Sequence, residues 1–308
     1  MSSNAKLLTL DAGAWPDTYG EMAKPRMGFF TDTSICIGCK ACEVACKEWN
    51  HVPEDFKGFT GKSYDNTLHL DADNWRHVAF IEQRLPAALD GDTATESLVQ
   101  IAARRELEED SGLDTLQEGE GLRWLMASDV CKHCSHAACL DVCPTGALFR
   151  TEYGTVVVQA DICNGCGYCV PACPFGVLSK RKPDGRVWKC TLCYDRLRDD
   201  KEPACAQACP TNSIQYGELT ELHERAEARL QEMQDAGQTS ARLYGAHPDD
   251  GVGGFGAFFL LLDEPEVYGL PPDPVVTTRD LPGIWASTGA AAVALAVGIA
   301  AACIGGRR

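Results

Sequence analysis

The sequence has few basic residues for its length. Its 308 residues include 28 lysines and arginines against 44 aspartates and glutamates, which gives a net charge of −16. A surface that binds nucleic acid must be basic enough to neutralise phosphates, so this balance argues against nucleic acid as the main partner. An acidic surface suits a basic protein partner instead.

Several enzyme motifs are missing as well. The sequence contains no P-loop, no glycine fingerprint for a dinucleotide after a strand and no nucleophile elbow. Met1–Gly20 has neither the basic start nor the apolar run of a secretory leader. We therefore expect a chain that has no catalytic residues, transforms no substrate itself and carries no leader of its own.

Cysteine is the residue that stands out. Sixteen of the 17 cysteines fall into four groups of four, and Cys303 lies alone near the C-terminus. A disulfide framework does not need such bunching, whereas closely spaced thiols are typical of metal ligands. Groups one to four are, in order, Cys36, Cys39, Cys42 and Cys46; Cys131, Cys134, Cys139 and Cys143; Cys163, Cys166, Cys169 and Cys173; and Cys190, Cys193, Cys205 and Cys209.

The spacing within the groups predicts iron–sulfur clusters. Groups one and three follow the C-x2-C-x2-C-x3-C run of bacterial ferredoxins, and groups two and four keep it with one wider gap. Zinc is the alternative, but zinc ribbons use pairs of C-x2-C without a third cysteine close behind. We expect the four groups to hold four [4Fe–4S] clusters, with the sixteen grouped cysteines as iron ligands.

Small residues explain how a short loop can wrap a cluster. Gly38, Gly165 and Gly167 allow positive φ, so three thiols of one loop can face the same cubane. The fourth cysteine then leaves the loop at the start of a helix and points to a neighbouring cluster. Proline follows that cysteine in groups two to four, whereas group one has Lys47 there.

Three further side chains need their own interpretation. His133 and His136 lie inside group two and could be ligands, but cysteines already supply all four positions of that group. Histidine ligation belongs to two-iron Rieske clusters, so we expect these histidines to solvate or support the site. Cys303 is expected to be a small apolar residue of a helix.

The predicted fold class is α+β, with two ferredoxin-like modules that bind the four clusters. We expect an irregular arm at 1–26, a paired four-cluster region at 27–217 with a cysteine-free insert at about 52–126, a helix and extended Gly/Pro-rich arm at 218–280, and an apolar helix at 284–304. Within these regions we expect strands at Gly28–Thr31 and His77–Ile81, exposed helix and loop at Arg104–Glu120, a hairpin of Ala147–Arg150 and Thr155–Val158, and an amphipathic helix at Glu218–Asp235.

The apolar segment Ile284–Ile304 predicts a single transmembrane helix. Its 21 uncharged residues would form a helix of about 32 Å, enough to cross a bilayer core. A buried helix of a soluble protein is the alternative, although this run exceeds the usual length of such helices. Because alanine dominates, we expect insertion to be favoured by packing against another membrane helix.

Charges beside this segment predict its orientation. Arg307 and Arg308 follow it directly, whereas Arg279 before it is offset by Asp280. By the positive-inside rule, the C-terminus is expected in the cytoplasm and the cluster domain on the outer face of the cell membrane. Without a leader, the folded chain would be exported together with a partner that carries the signal.

The cysteine runs and the C-terminal tail together resemble a known family. The segments are CIGCKACEVACKEWN (36–50), CKHC (131–134), CNGCGYCVPACPFGV (163–177), VWKCTLCYDR (187–196), EPACAQACPTNSI (202–214) and DGVGGFGAFFLLLDEPEVYGLPPDP (250–274). They resemble the iron–sulfur (beta) subunit of complexes in the molybdopterin oxidoreductase family, and most of all that of membrane-bound respiratory formate dehydrogenase. Nitrate reductase beta subunits are similar but replace one cysteine, whereas every group is complete in this chain.

The resemblance implies how the groups share their clusters. In this family the first group pairs with the fourth and the second with the third, and each pair exchanges its fourth cysteines. The implied ligand sets are set A (Cys36, Cys39, Cys42 and Cys209), set B (Cys190, Cys193, Cys205 and Cys46), set C (Cys131, Cys134, Cys139 and Cys173) and set D (Cys163, Cys166, Cys169 and Cys143).

The resemblance also implies a function and partners. A non-catalytic subunit of this kind takes electrons from a molybdopterin-containing alpha subunit that oxidises formate, and passes them to a membrane cytochrome b or quinone-binding gamma subunit. The same electron-transfer role for a polysulfide, dimethyl sulfoxide or tetrathionate reductase, with the flow reversed, is the alternative. An independent soluble polyferredoxin is a third interpretation, which the terminal helix opposes.

Overall fold

The protein consists of short strands and helices joined by turns. The structure is a computed structural model, and it describes residues 19–54, 58–61, 64–85, 121–249 and 251–305. The strands are β1 (Met27–Asp32), β2 (Arg76–Leu85), β3 (Gly121–Val130), β4 (Leu148–Arg150), β5 (Val156–Val158), β6 (Ser179–Lys180), β7 (Val187–Trp188), β8 (Ile214–Glu218), β9 (Arg242–Tyr244) and β10 (Ala257–Leu261). The α-helices are α1 (Ala41–Asn50), α2 (Ala138–Asp141), α3 (Cys169–Ala172), α4 (Tyr194–Arg198), α5 (Ala204–Gln207), α6 (Leu219–Asp235) and α7 (Leu281–Gly305).

The chain divides into two compact units. One comprises residues 1–79 and 126–308, and the other comprises Phe80–Leu125. In the smaller unit, the guanidinium of Arg123 donates hydrogen bonds to Oε1 of Gln83 at 2.7 and 3.0 Å. The segment Arg104–Glu120, expected as exposed helix and loop, lies outside the described residues. The domain boundaries proposed from the sequence stay a prediction.

A four-stranded sheet forms the core of the larger unit. Its strand order is β8–β1–β10–β9, with β1 antiparallel to β8 and parallel to β10. Phe30 and Phe258 lie opposite each other in this register and stack with ring centroids 5.4 Å apart. Helix α6 packs on the sheet with Leu222 and Ala226 fully buried. Each large apolar side chain buried in this way stabilises the fold by about 1.5–3 kcal/mol.

Strand β10 corrects one expectation from the sequence. The pattern predicts an extended Gly/Pro-rich arm after the helix of region 218–280, but Ala257–Leu261 of that arm form a fully buried strand. A strand covered on both faces is apolar throughout rather than alternating, and the run AFFLL has this composition. The tail is therefore part of the core.

Other elements lie where the sequence predicts them. Strand β1 is one residue longer at each end than Gly28–Thr31, and β2 includes His77–Ile81. Strands β4 and β5 form the expected antiparallel hairpin, and α6 starts one residue after Glu218. Each of these elements has a local pattern of apolar residues, which is the signal that a sequence displays most clearly.

The sheet brings cysteine groups one and four together. Strand β1 ends just before group one, and β8 begins just after group four. The two strands are antiparallel neighbours in which Thr31 pairs with Ile214, and the amide of Asp32 donates to the carbonyl of Ser213 at 2.8 Å. The two loops therefore leave the sheet at the same end, although they are far apart in the sequence.

The β4–β5 hairpin joins groups two and three in a similar way. Group two ends before β4 and group three begins after β5. The amide of Gln159 donates to the carbonyl of Ala147 at 2.7 Å, which extends the ladder toward both groups. The short helices α2 and α3, one from each group, pack against each other.

Helix α7 is apolar and exposed. Its segment Gly283–Cys303 has 21 residues, a mean hydropathy of 1.8 and no burial, and it is the one candidate membrane span among the described residues. Trp285 and Leu295 are 71% and 66% exposed. A continuous apolar surface of this size marks a site of membrane or protein contact. The helix fits a single-pass membrane anchor.

Gly28→Ala is expected to destabilise the sheet. A Cβ at position 28 would lie 2.3 Å from the carbonyl oxygen of Gly256 and 2.8 Å from Cδ1 of Leu219. The same oxygen accepts a hydrogen bond from the amide of Phe29 at 2.8 Å, so it is not free to move aside. Overpacking of this kind costs about 1–3 kcal/mol. The thermal unfolding midpoint of the full-length chain, followed by circular dichroism, should fall by several degrees.

The matched control is Gly217→Ala, since Gly217 is the cross-strand partner of Gly28. A Cβ there would meet only the side chain of Leu222, at 3.6 Å, which is an ordinary van der Waals distance. This variant should unfold close to the wild-type temperature. Equal losses in both variants would mean that the close approach of Gly256 does not limit position 28.

Candidate metal centre

The thiols of set A line a cavity beside the sheet. The wall of this cavity includes all four cysteines of the set. Burial raises the pKa of Cys36, the backbone amide of Gly38 opposes this shift, and the charge of Cys209 adds to it. Gly38 has a φ of 65°, a conformation that glycine adopts without a Cβ clash. The loop therefore turns an amide toward the sulfur, as the spacing predicts.

The thiols of set B meet where helices α1 and α5 pack together. Nδ2 of Asn50 lies 3.7 Å from the sulfurs of both Cys46 and Cys193. Burial raises the pKa of Cys46 well above the ordinary thiol value, and the charges of Cys205, Cys190 and Cys193 raise it further. The fourth cysteine of group one is thus surrounded by three cysteines of group four.

The thiols of set C line a second cavity. Burial raises the pKa of Cys139 to about 12, the ammonium of Lys189 opposes this shift, and the charges of Cys131 and Cys173 add to it. Cys173 is the fourth cysteine of group three, yet it lies in the wall of the cavity formed by group two.

Set D is assembled at the surface. Burial raises the pKa of Cys169 to about 11, its own backbone amide opposes this shift, and the charges of Cys143, Cys163 and Cys166 add to it. In the same loop, Gly165 has a φ of 72°, and a Cβ there would lie 2.4 Å from the carbonyl oxygen of Gly185. Only glycine fits this approach, so the loop depends on it.

Sets A and B are adjacent. The sulfur of Cys42 in set A lies 3.2 Å from Oγ of Ser128. Arg76 donates through Nη1 to that Oγ at 3.3 Å and through Nη2 to the sulfur of Cys205 in set B at 3.2 Å. One hydroxyl and one guanidinium therefore span the gap between the two sets.

Sets B, C and D continue the row. The charge of Cys131 in set C raises the pKa of Cys190 in set B, beyond the shift that burial causes. The charge of Cys169 in set D acts on Cys139 in set C in the same way. Lys189, which directly precedes Cys190 of set B, lines the cavity of set C. Helix α2, which carries Cys139 of set C, packs against helix α3, which carries Cys169 of set D. The four sets are therefore neighbours in the order A, B, C, D. Iron coordination by these sixteen cysteines stays a prediction.

The donor sets fit a polynuclear cluster. Among the described residues, no three His, Cys, Asp or Glu side chains are placed to hold a single metal ion. The thiols of sets A and C instead stand around two cavities, and all four cysteines of each set lie in the wall of one cavity. Thiolates spaced around a cavity match the way that sets of four cysteines hold [4Fe–4S] clusters.

His133 lies beside set C, and one of its two ring nitrogens is already engaged in a hydrogen bond. Its Nδ1 accepts a hydrogen bond from the amide of Val156 at 3.1 Å. Burial lowers its pKa well below the ordinary value, and the charges of Lys189 and Arg150 lower it further. The neutral ring therefore carries its hydrogen on Nε2, which is buried without a partner in the described part of the chain. Since His133 lines the cavity of set C, this donor suits a cluster sulfur.

His136 and Cys303 lie outside the sets. The amide of His136 donates to the carbonyl of Val252, and its ring occupies the space that a Cβ at Gly253 would need. Cys303 is an exposed residue of helix α7.

Three buried cationic side chains lie beside the thiols, and they were not identified as site residues from the sequence. Arg76, Lys132 and Lys189 are each 1% exposed. Two of them have a sequence signal, since Lys132 directly follows Cys131 and Lys189 directly precedes Cys190. Arg76 has none, because its partners come from distant parts of the chain.

Family models match two parts of the chain. A model described as a 4Fe-4S dicluster domain matches residues 122–219, and one described as a 4Fe-4S binding domain matches residues 33–49.

Known proteins match most of the chain. The formate dehydrogenase iron–sulfur subunit of Haemophilus influenzae is 35% identical over 273 residues, which cover 87% of this chain and 76% of that protein. The nitrate-inducible formate dehydrogenase iron–sulfur subunit of Escherichia coli is 37% identical over 259 residues, or 83% of this chain and 76% of that protein. The B subunit of the anaerobic dimethyl sulfoxide reductase of Escherichia coli is 34% identical over 198 residues, or 64% of this chain and 76% of that protein.

Cys209→Ser is expected to disturb the cluster of set A rather than that of its own group. Cys209 lies in the cavity wall with the first three cysteines of group one, so its loss removes one of their partners. The full-length chain purified anaerobically should carry about sixteen iron atoms, and the variant about four fewer. Iron analysis and electron paramagnetic resonance (EPR) measure both effects.

Two substitutions serve as references for this experiment. Cys39→Ser should change the same EPR signal as Cys209→Ser, whereas Cys193→Ser should change a different one. Cys303→Ser is the matched control and should keep its iron, because Cys303 lies on helix α7. If Cys209→Ser shared its altered signal with Cys193→Ser, the exchange between groups would be wrong. Eight or fewer iron atoms in the unaltered chain, or zinc in their place, would contradict the four-cluster prediction.

Proposed function

Because the chain belongs to the family of formate dehydrogenase iron–sulfur subunits, we propose that it conducts electrons through four [4Fe–4S] clusters from a molybdopterin-containing catalytic subunit to a membrane subunit. Its electron-transfer role follows from the family and from its 4Fe-4S domains, which confirms the resemblance seen in the cysteine runs. The observation that supports the path is the row of sets A to D, in which each set is adjacent to the next.

Each set would hold one cluster through its four thiols. A bound [4Fe–4S] cluster supplies a one-electron couple whose potential depends on charge, hydrogen bonding and solvent exposure at its sulfurs. The chain shields the sulfurs of the two middle sets, B and C, from water. Cys131, Cys190 and Cys205 are 8%, 7% and 4% exposed. Burial raises the pKa of Cys190 to about 12, so this thiol releases a proton when it becomes a ligand.

Both ends of the row reach the surface. At set A, Cys39 is exposed and the neighbouring Ile37 is 59% exposed. At set D, Cys166 is exposed and Tyr168 is 62% exposed. A subunit that takes up electrons at one end and delivers them at the other needs an accessible set at each end. We therefore assign the two ends to two different partner subunits.

The segment before helix α7 indicates which end faces the membrane. Thr277 donates a hydrogen bond to the carbonyl of Ala172 at 3.4 Å, and Thr278 donates to the carboxylate of Asp141 at 2.8 Å. Ala172 ends helix α3, which begins with Cys169 of set D. Set D would therefore serve a membrane cytochrome b or quinone-binding subunit, and set A the catalytic subunit.

Dimethyl sulfoxide reduction is the second candidate for the reaction that this electron path serves. The dimethyl sulfoxide reductase subunit from Escherichia coli covers 64% of this chain, whereas the formate dehydrogenase subunits cover 83–87% of it at similar or higher identity. The broader match favours formate as the source of the electrons.

A tag on this chain should co-purify a molybdopterin-containing subunit, and the complex should reduce a viologen dye with formate. Cys193→Ser interrupts the row at set B, so it should abolish formate-dependent quinone reduction while dye reduction at the catalytic subunit persists. Cys303→Ser is the control and should retain both activities. A complex that reduces dimethyl sulfoxide but does not oxidise formate would replace our proposal with the second candidate.

We also propose that the C-terminus is cytoplasmic and the cluster domain faces outward, because Arg307 and Arg308 follow the apolar segment. Protease added to right-side-out spheroplasts should then digest the cluster domain. A C-terminal epitope tag should stay protected until the spheroplasts are lysed. Full protection of the cluster domain would reverse this orientation.

A further inference from the structure

The gap between sets A and B contains an arginine that no ligand set uses. Arg76 is 1% exposed. Its Nη2 donates to the sulfur of Cys205 at 3.2 Å, and its Nη1 donates to the carbonyl oxygen of Ser128 at 3.1 Å and to Oγ of the same residue at 3.3 Å. That hydroxyl lies 3.2 Å from the sulfur of Cys42. One guanidinium therefore contacts set B directly and set A through a single hydroxyl.

The charge of Arg76 has no carboxylate to neutralise it among the described residues. Its Nε has no hydrogen-bond partner there, and its Cζ lies 5.0 Å from the ring centroid of Phe29. Burial lowers the pKa of Arg76, but the charges of Cys205, Cys42 and Cys190 raise it above the ordinary value overall. A guanidinium stays protonated in proteins. The cysteine sulfurs would therefore be its counterions once they bind a cluster as thiolates.

Lys189 occupies the corresponding position between sets B and C. It is 1% exposed, it lines the cavity of set C, and its Nζ donates to the backbone carbonyls of Val156 and Cys190. Its charge opposes the rise that burial causes in the pKa of Cys190 and of Cys139, so it acts on both sets.

The third buried cation is different because it has a partner. Lys132 forms an ion pair with Asp129, so its charge is largely compensated. Arg76 and Lys189 bond only to sulfur, hydroxyl and carbonyl groups within the described residues. Set B is therefore flanked on both sides by a buried cation without a carboxylate, one toward set A and one toward set C.

We propose that Arg76 and Lys189 are positioning residues that raise the reduction potential of the cluster held by set B. The proposal rests on the function proposed above. Each electron that arrives from the neighbouring cluster adds one negative charge, with no bond made or broken, and leaves the donor one electron poorer. A buried positive charge stabilises the more negative, reduced form more strongly than the oxidised form. Surface salt screens such buried pairs only weakly.

The test is an EPR-monitored redox titration of the whole complex. Arg76→Gln removes the charge but keeps an amide donor, whereas Arg76→Lys keeps the charge. In Arg76→Gln and in Lys189→Met, the equilibrium constant for reduction of the set B cluster should fall at least tenfold. This corresponds to a decrease of about 59 mV in its midpoint potential for one electron. Arg76→Lys should stay close to the unaltered protein, and the set D potential should not move.

Two references make the titration specific. The signal of set B is the one that Cys193→Ser removes. Arg181→Gln is the matched arginine control: Arg181 pairs with Asp73 at 2.7 Å and stacks on Trp188, so its charge is already compensated. This variant should leave the set B potential unchanged.

Each outcome decides the proposal. An unchanged set B potential with full iron content in both charge-removing variants overturns it, and so does an equal shift of all clusters. If Arg76→Gln loses iron, Lys189→Met decides alone. Loss of iron from both variants means that the cations maintain the fold rather than the potential, which also overturns the proposal. Fewer than four clusters in the unaltered complex would contradict the proposed function instead, and iron analysis reveals this before any variant is titrated.

Discussion

The side-by-side placement of cysteine groups one and four is the constraint on which the rest of the structure depends. Cys209 belongs with three cysteines of group one, and Cys46 with three of group four. Groups so distant in the sequence can approach each other only if the backbone holds them side by side. The antiparallel pairing of β1 with β8 and the packing of α1 on α5 provide this. The pairing of β1 with β8 in the core therefore also places the thiols of groups one and four beside each other.

Cluster binding through deprotonated sulfurs would impose a second requirement. Burying a charged group is costly unless hydrogen bonds and opposite charges surround it. The chain meets this cost locally with short contacts, such as the amide of Leu192, which donates to the sulfur of Cys190 at 3.3 Å. It meets it over longer distances with cations from other elements, such as Arg76 on strand β2. The acidic side chains that give the protein its net charge of −16 do not contribute to this balance.

The sequence predicts the local parts of this structure well. The three-cysteine loops, the β4–β5 hairpin and helix α6 each have their signal within a short window. Group four is recognisable despite its wide gap, because its two outer spacings, C-x2-C and C-x3-C, are those of the other groups. In the structure, helix α4 occupies part of the gap, and the chain then returns to place Cys205 near Cys193.

Features that depend on tertiary neighbours are harder to predict. Strand β10 is flanked by glycine and proline, so its pattern indicates an extended arm, and only its place between β1 and β9 explains the buried AFFLL run. Arg76 lies on a strand whose partners, Ser128 and Cys205, come from later in the chain. The exchange of fourth cysteines came from the resemblance and not from spacing alone, because spacing does not say which neighbour each one joins.

The central pair of the sheet, β1 and β10, joins the first and the last of the strands that the structure describes. Strand β1 is made early, but its parallel neighbour β10 ends only at Leu261. Until β10 has left the ribosome, Phe30 lacks the ring of Phe258, on which it stacks. The edge of β1 that faces β10 also has no hydrogen-bonding partner until then. Contacts of such long sequence separation are slow to form. Because helix α7 begins at Leu281, the chain completes this sheet shortly before it makes its exposed apolar helix.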